Sequence, residues 1–230
     1  MMNTKKIPTT TRFNHKYSLQ DVTIHSMKTC FQGFFNLDRY QLSHKLFNGG
    51  QSEILSREIF ERGDAVVLMP YDALLDQVIL LEQFRPGAIR EDHNPWLLEF
   101  VAGMFNPNEN PEDVAIREAE EEAGLIIPSD ELINIMSYFS SPGGTSEKIH
   151  LYAACIDSSS LINEDKVYGL EEEGEDILLH VMPRSEAMTL LSQGKINNAA
   201  TIIGLQWLAL NYHALQTKAL YKLKLLAETV

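Results

Sequence analysis

Glu118, Glu121 and Glu122 stand in the run REAEEEAG, separated by three and four residues. On a helix those spacings bring side chains to one face. Three carboxylates held there repel one another in the bare protein, and the repulsion turns into attraction once a hard divalent cation arrives. Mg2+ takes oxygen ligands and keeps several waters, leaving room for the phosphate oxygens of a substrate. A cation held this way offsets phosphate charge and activates a water. An acidic chain of this kind is therefore compatible with a phosphate-bearing substrate. The competing reading of any glutamate run is a solvated acidic helix face.

The neighbouring residues supply the helix. Asn110 is a good N-cap and Pro111 suits the first helical position. Glu112 and Asp113 fall in the first turn, where the helix dipole favours negative charge. Gly124 stands where a left-handed cap is expected. A helix over Pro111–Ala123 follows, on which Asp113 and Arg117 can pair at i, i+4. Around it, AVVLMPYD, QVILLEQFRP, WLLEFVAG, LINIMSYFSS, KIHLYAACI and DILLHVMP read as strands. SEAMTLLSQG reads as a short helix opened by a serine cap and closed by glycine. The stretch from Asn198 to Glu228 reads as one long helix or two. Nearer the start, GFFNLDRYQLSHKLF reads as strand, followed by a hairpin signal at Asn48-Gly49.

The pattern is α+β. We read three segments: a flexible polar lead-in over 1–16, a β region over 17–62 suited to interaction, and a main domain over 63–230. The 230 residues carry a formal net charge of −13 and a pI near 4.9. Such a chain does not attract nucleic acid by general charge, so an anionic substrate needs local positive charge, for which a divalent metal is the natural source. Cys30 and Cys155, the two cysteines, suggest neither a thiolate zinc site nor a disulfide framework. A cytoplasmic location fits them. No apolar stretch approaches the ~20 residues that span a bilayer, and the start lacks the apolar core of a signal peptide.

The acidic run also has distant companions at fixed spacing. Gly103, Glu109, Arg117, Glu118, Ala119, Glu121, Glu122, Gly124 and Leu125 together resemble the Nudix box, with Ala119 smaller than the aliphatic residue usual there. The resemblance implies the Nudix fold, a mixed β-sheet sandwiched between α-helices, with the box as loop, helix and loop. It implies a metal site of one to three Mg2+ or Mn2+ ions held by Glu118, Glu121, Glu122 and the carbonyl of Ala102. Gly103, Glu109, Arg117 and Gly124 become structural members of the motif, with Glu109 holding Arg117.

QGFF, REIFERG, PWLLEFVAG, SPGGTSE and EDILLHV further resemble the ADP-ribose pyrophosphatase branch, a proline such as Pro142 after the box being its mark. The implied reaction is hydrolysis of ADP-ribose to AMP and ribose 5-phosphate, or of a related nucleoside diphosphate sugar or dinucleotide. A non-catalytic ADP-ribose sensor is the reading from a different class, and the intact box glutamates oppose it. Implied substrate contacts are Phe34, Arg57, Arg85, Ser141 and Glu147. Without the family, Arg57 and Arg85 read as surface charges and Phe34 as a core aromatic. Gln32 stands where the branch often has arginine. The general base would be Glu173 in LEEEGED, with Glu172 or Glu175 as substitutes and a box glutamate as a further choice. The branch also implies a domain-swapped homodimer built on the N-terminal β region. Nucleic acid and membrane are not expected partners.

Overall fold

The computed structural model describes residues 13–90, 92, 94–105, 108–159, 161 and 167–228, with the side chains of Glu173, Leu226 and Glu228 outside that description. Most of the polar lead-in lies outside it too. The chain forms two compact units, one ending at Glu61 and the other starting at Arg62.

The first unit is an antiparallel three-stranded sheet of β1 (Val22–Gln32), β2 (Asn36–His44) and β3 (Leu55–Glu61). Gly33, Phe34 and Phe35 form the tight β1–β2 turn, closed by a bond from the Gly33 amide to the Phe35 carbonyl. This corrects the reading of GFF as strand: the extended run begins only at Asn36. The Asn48-Gly49 signal falls in the longer β2–β3 connection, where Lys45 and Gln51 bridge. Every residue of β1 is exposed, with Ile24, Met27 and Phe31 more than half so.

In the second unit an eight-stranded mixed sheet separates two layers of helix. Its strands are β4 (Asp64–Asp72), β5 (Gln77–Phe84), β6 (Trp96–Glu99), β7 (Val101–Phe105), β8 (Leu132–Phe139), β9 (Lys148–Cys155), β10 (Val167–Tyr168) and β11 (Ile177–Pro183). The main path runs β10-β11-β5-β4-β9-β8, and β4 is parallel to β9. β4 is buried on both faces, which is why it reads as an unbroken apolar run. Its odd positions Ala65, Val67, Met69 and Tyr71 pack with α2 (Arg184–Ser192) and α3 (Ala199–Glu228). Val66 and Leu68 pack on the other face with α1 (Pro111–Ala123).

β4 and β5 pair only near their hairpin, at Tyr71–Val78 and Asp72–Gln77. Beyond that they splay, and the gap takes in β6, paired to β5, and β7, paired to β4. WLLEFVAG is thus two strands and not one, breaking at Phe100. There the amide leaves the ladder and donates to Thr201 Oγ1 at 3.2 Å. Asn198 caps α3 by accepting from the Thr201 amide at 3.0 Å and donates to the Leu98 carbonyl at 2.7 Å. The C-terminal run is one helix. α2 begins at Arg184, one residue before the expected serine cap, because Arg184 is drawn to Asp76 through both backbone and side chain.

Candidate active site

α1 forms where its caps place it. The Asn110 side chain accepts from the Glu112 amide, and Gly124 closes the helix at φ 63°. That left-handed conformation costs a residue with a side chain far more than glycine. Val114, Ala115, Ala119 and Ala123 bury one side of the helix against the sheet. The smallness of Ala119 is explained there, since it is fully buried.

Glu122 is buried as well, 2% exposed. Its Oε2 accepts a 2.9 Å bond from the amide of Ala102 on β7. Burial pushes its carboxyl up to about 8; the Ala102 amide and Arg85 pull it down, while Glu118 and Glu175 add to the rise. Glu118 folds back over β7 at Gly103, where a Cβ would lie 2.1 Å from its Oε1. A side chain at 103 would push the Glu118 carboxylate out of that space. Glu121 and Glu118 share one cation: Arg117 Nη1 lies 2.8 Å from Glu121 Oε2, and Nη2 lies 2.9 Å from Glu118 Oε1. Burial opposes the charge of Arg117, and Glu118, Glu121 and Glu109 outweigh it, raising its pKa. The expected Asp113–Arg117 pair is thus replaced by Arg117 bridging two box glutamates.

The other predicted residues fall in three places. Arg85 follows β5, and its Nε donates to Glu99 Oε2 at 2.7 Å. Ser141 and Glu147 lie on the β8–β9 connection, where Pro142 opens an exposed turn closed by the Gly144 and Thr145 amides on the Ser141 carbonyl. Glu147 is buried and stands 3.2 Å from Arg62 Nε. Phe34 and Arg57 belong to the first unit. Phe34 is 90% exposed at the β1–β2 turn, which corrects the core reading, and packs edge-on against Phe35. Arg57 is exposed on β3.

LEEEGED forms a short turn at Glu171–Glu173, capped by Gly174 at φ 69°. Glu175 Oε2 accepts from the Leu170 amide, and the Gly169 amide reaches the Glu121 carbonyl. The turn is fastened beside the C-terminal end of α1, and Glu173 lies on it. Glu99 went unread in the sequence; its signal was a lone charge inside an apolar strand.

The donors at the box are anionic oxygens and a strand backbone, a set that suits a hard divalent cation. Among the described residues no three His, Cys, Asp or Glu groups stand together as a ready metal site. Instead Glu118 and Glu121 each give one oxygen to Arg117. A cleft of about 580 Å3 between Leu125–Pro128 and α3 contains none of the box carboxylates.

The three-layer fold, the capped acidic helix and the glycine beneath Glu118 define a Nudix-type hydrolase architecture. The NUDIX domain profile matches residues 61–204, and the chain belongs to that family. Over 202 residues it is 45% identical to the ADP-ribose pyrophosphatase of Escherichia coli (strain K12), covering 88% of this chain and 94% of that protein. It is 47% identical over 203 residues to the ADP-ribose pyrophosphatase of Haemophilus influenzae, covering 87% and 91%. The GDP-mannose pyrophosphatase of Pectobacterium atrosepticum is 33% identical over 174 residues, covering 75% and 86%. A solved structure titled as an ADP compounds hydrolase shares the fold at a TM-score of 0.58 and 21% identity, covering 84% of this chain and 95% of that one.

Proposed function

We propose that the protein hydrolyses ADP-ribose, in an Mg2+-dependent reaction, to AMP and ribose 5-phosphate. The observation that carries the reading is an intact set of box glutamates in a chain 45–47% identical to ADP-ribose pyrophosphatases along most of its length. The GDP-mannose pyrophosphatases align at lower identity and over less of the chain, which favours ADP-ribose over another nucleoside diphosphate sugar.

Glu118 and Glu122, with Glu121 and the Ala102 carbonyl, would hold one to three divalent ions, Mg2+ or Mn2+. Such ions offset charge on the diphosphate and make a bound water more acidic. The rest falls to the chain. Arg117 keeps Glu118 and Glu121 together between turnovers. Arg85 binds phosphate oxygens, which a guanidinium does bidentately. Ser141 and Glu147 are read as contacts to the terminal ribose and phosphates, Arg57 as a phosphate or adenine-side contact, and Phe34 as an adenine-stacking ring. Glu173, on its anchored turn, takes the proton of the attacking water as oxygen adds to one phosphorus and the bridging P–O bond breaks; Glu172 and Glu175 are the other acids of that turn. Segments 17–62 and 63–230 are read as dimerisation region and catalytic domain. The exposed apolar residues of β1 suit burial against a second copy and support a homodimer, which sedimentation checks: a fully active monomer would contradict it. Two free thiols support a cytoplasmic setting, and no helix among the described residues is long and apolar enough to cross a membrane.

The test is a substrate panel of ADP-ribose and related sugar nucleotides, with Mg2+ or with chelator, scored by mononucleotide release. ADP-ribose is expected to be turned over best and only with metal. A panel led by another sugar nucleotide would overturn the substrate assignment.

A further inference from the structure

We propose that Glu99 is a positioning residue for this reaction: it grips the Nε edge of Arg85 and leaves the paired Nη edge to face the phosphates. The proposal rests on the reading of Arg85 as a phosphate contact.

Glu99 is the last residue of β6 and the one charge between Trp96 and Val101. Its register partner is Leu81, which packs in the layer beneath α1. The carboxylate is only 16% exposed, and a largely buried carboxylate is costly unless paired. Arg85 satisfies it with the 2.7 Å bond from Nε. The Arg85 backbone is fixed independently, because its amide donates to the Pro95 carbonyl at 2.8 Å across the β5–β6 connection. One end of the pair therefore sits on β6 and the other directly after β5, and the arginine is held through both its side chain and its backbone.

A guanidinium presents five N–H groups in a rigid fork. With Nε committed to Glu99, the two terminal nitrogens remain as a matched pair, the geometry that binds phosphate oxygens bidentately. The Arg85 side chain is 41% exposed, so it is within reach of a substrate. Its charge is also among those acting on the Glu122 carboxyl. Without Glu99 the arginine keeps its charge but spreads over many rotamers, and each binding event must restore the order. A contact made equally to substrate and transition state appears in KM and leaves kcat largely unchanged.

The test is steady-state hydrolysis of ADP-ribose under saturating Mg2+ by Glu99→Ala, Glu99→Gln, Glu99→Asp, Arg85→Ala and the Glu99→Ala/Arg85→Ala double variant, each first checked by thermal melting. Glu99→Ala is expected to raise KM about tenfold, with kcat within about threefold. Glu99→Gln retains a carbonyl acceptor for Nε–H and is expected to restore most of the loss. Glu99→Asp, one methylene short, should resemble the alanine variant, and it carries the test if the alanine variant does not fold. On the Arg85→Ala background, removing Glu99 should add nothing. An unchanged KM in Glu99→Ala and Glu99→Asp, or additive losses in the double variant, would overturn the positioning role. An unchanged KM in Arg85→Ala would overturn it through the arginine, while wild-type turnover of ADP-ribose would leave the proposed function standing.

Discussion

Gly103 and Glu118 share one volume: a methyl group at residue 103 would sit 2.1 Å from Oε1 of Glu118 and 2.4 Å from its Cγ. The glycine that opens the box and a carboxylate 15 residues later are thus two halves of one arrangement. Gly103→Ala should keep the fold, since residue 103 is half-buried strand, yet force Glu118 off β7. Turnover should fall about 10- to 100-fold, the range seen when residues that orient metal ligands are lost. Circular dichroism beside an Mg2+ titration of ADP-ribose hydrolysis checks it. Activity equal to wild type would mean that the Glu118 position does not matter.

Glu122→Gln separates charge from packing. The glutamine carbonyl still accepts the Ala102 amide, and the wild-type carboxyl, pushed up to about 8 by burial, is already largely protonated at neutral pH without metal. The melting temperature in chelator at pH 7 should therefore stay close to wild type. Turnover should drop by more than about 100-fold, since an amide is a far weaker partner for a divalent cation. A stable variant with near-normal turnover would remove Glu122 from the metal site.

Arg117 should be felt most when metal is absent. Its guanidinium separates Glu118 from Glu121, so Arg117→Ala leaves those carboxylates facing each other unscreened. The variant should melt lower than wild type in chelator, by the order of 1 kcal/mol, and gain more than wild type on adding Mg2+. Differential scanning calorimetry with and without the ion measures both. Equal gains in the two proteins would contradict the role.

Acid stability should depend on a lock remote from the box. Asp76, at φ 53° in the β4–β5 turn, accepts from Arg184 Nε at 2.7 Å, Arg184 Nη2 at 2.9 Å and the Tyr71 hydroxyl at 2.7 Å. Arg184 in turn stacks on Tyr212 of α3, 3.7 Å from the ring centroid. Burial raises the Asp76 carboxyl, but the Arg184 and Tyr71 bonds outweigh it and hold it below its ordinary 3.8. A depressed folded-state value means this stability is present above pH 3.8 and is lost as pH falls through the lower value. Asp76→Asn keeps a residue that tolerates positive φ. It should cost about 1–2 kcal/mol at neutral pH, allowing for partial exposure, and flatten the stability profile below pH 4. Chemical denaturation across pH 2.5–7 would show it.

The box and its helix were legible because their determinants are local: cap residues, i and i+4 spacing, and a glycine at each end. β4 was legible because burial on both faces leaves an unbroken apolar run. The break at Phe100 was not, because it comes from a change of partner strand, and what relieves it is Thr201, 101 residues away. Spacing alone did not choose the partners of Arg117, although the family resemblance tied it to the box glutamates. Asp113 and Glu121 both stand four residues from Arg117, and the arginine pairs with Glu121 and with the Glu118 that lies over Gly103. Exposure of Phe34 likewise depended on a turn that three apolar-looking residues concealed.

The central claim is that Glu118 and Glu122 hold a divalent cation against the diphosphate of ADP-ribose. Crystals grown with Mn2+ and a non-hydrolysable ADP-ribose analogue test it through the anomalous signal of the metal. The account predicts a peak coordinated by Glu118 and Glu122 and by diphosphate oxygens, with Arg117 released from Glu118. An analogue bound in full occupancy, with no metal peak within coordination distance of either glutamate, would contradict it.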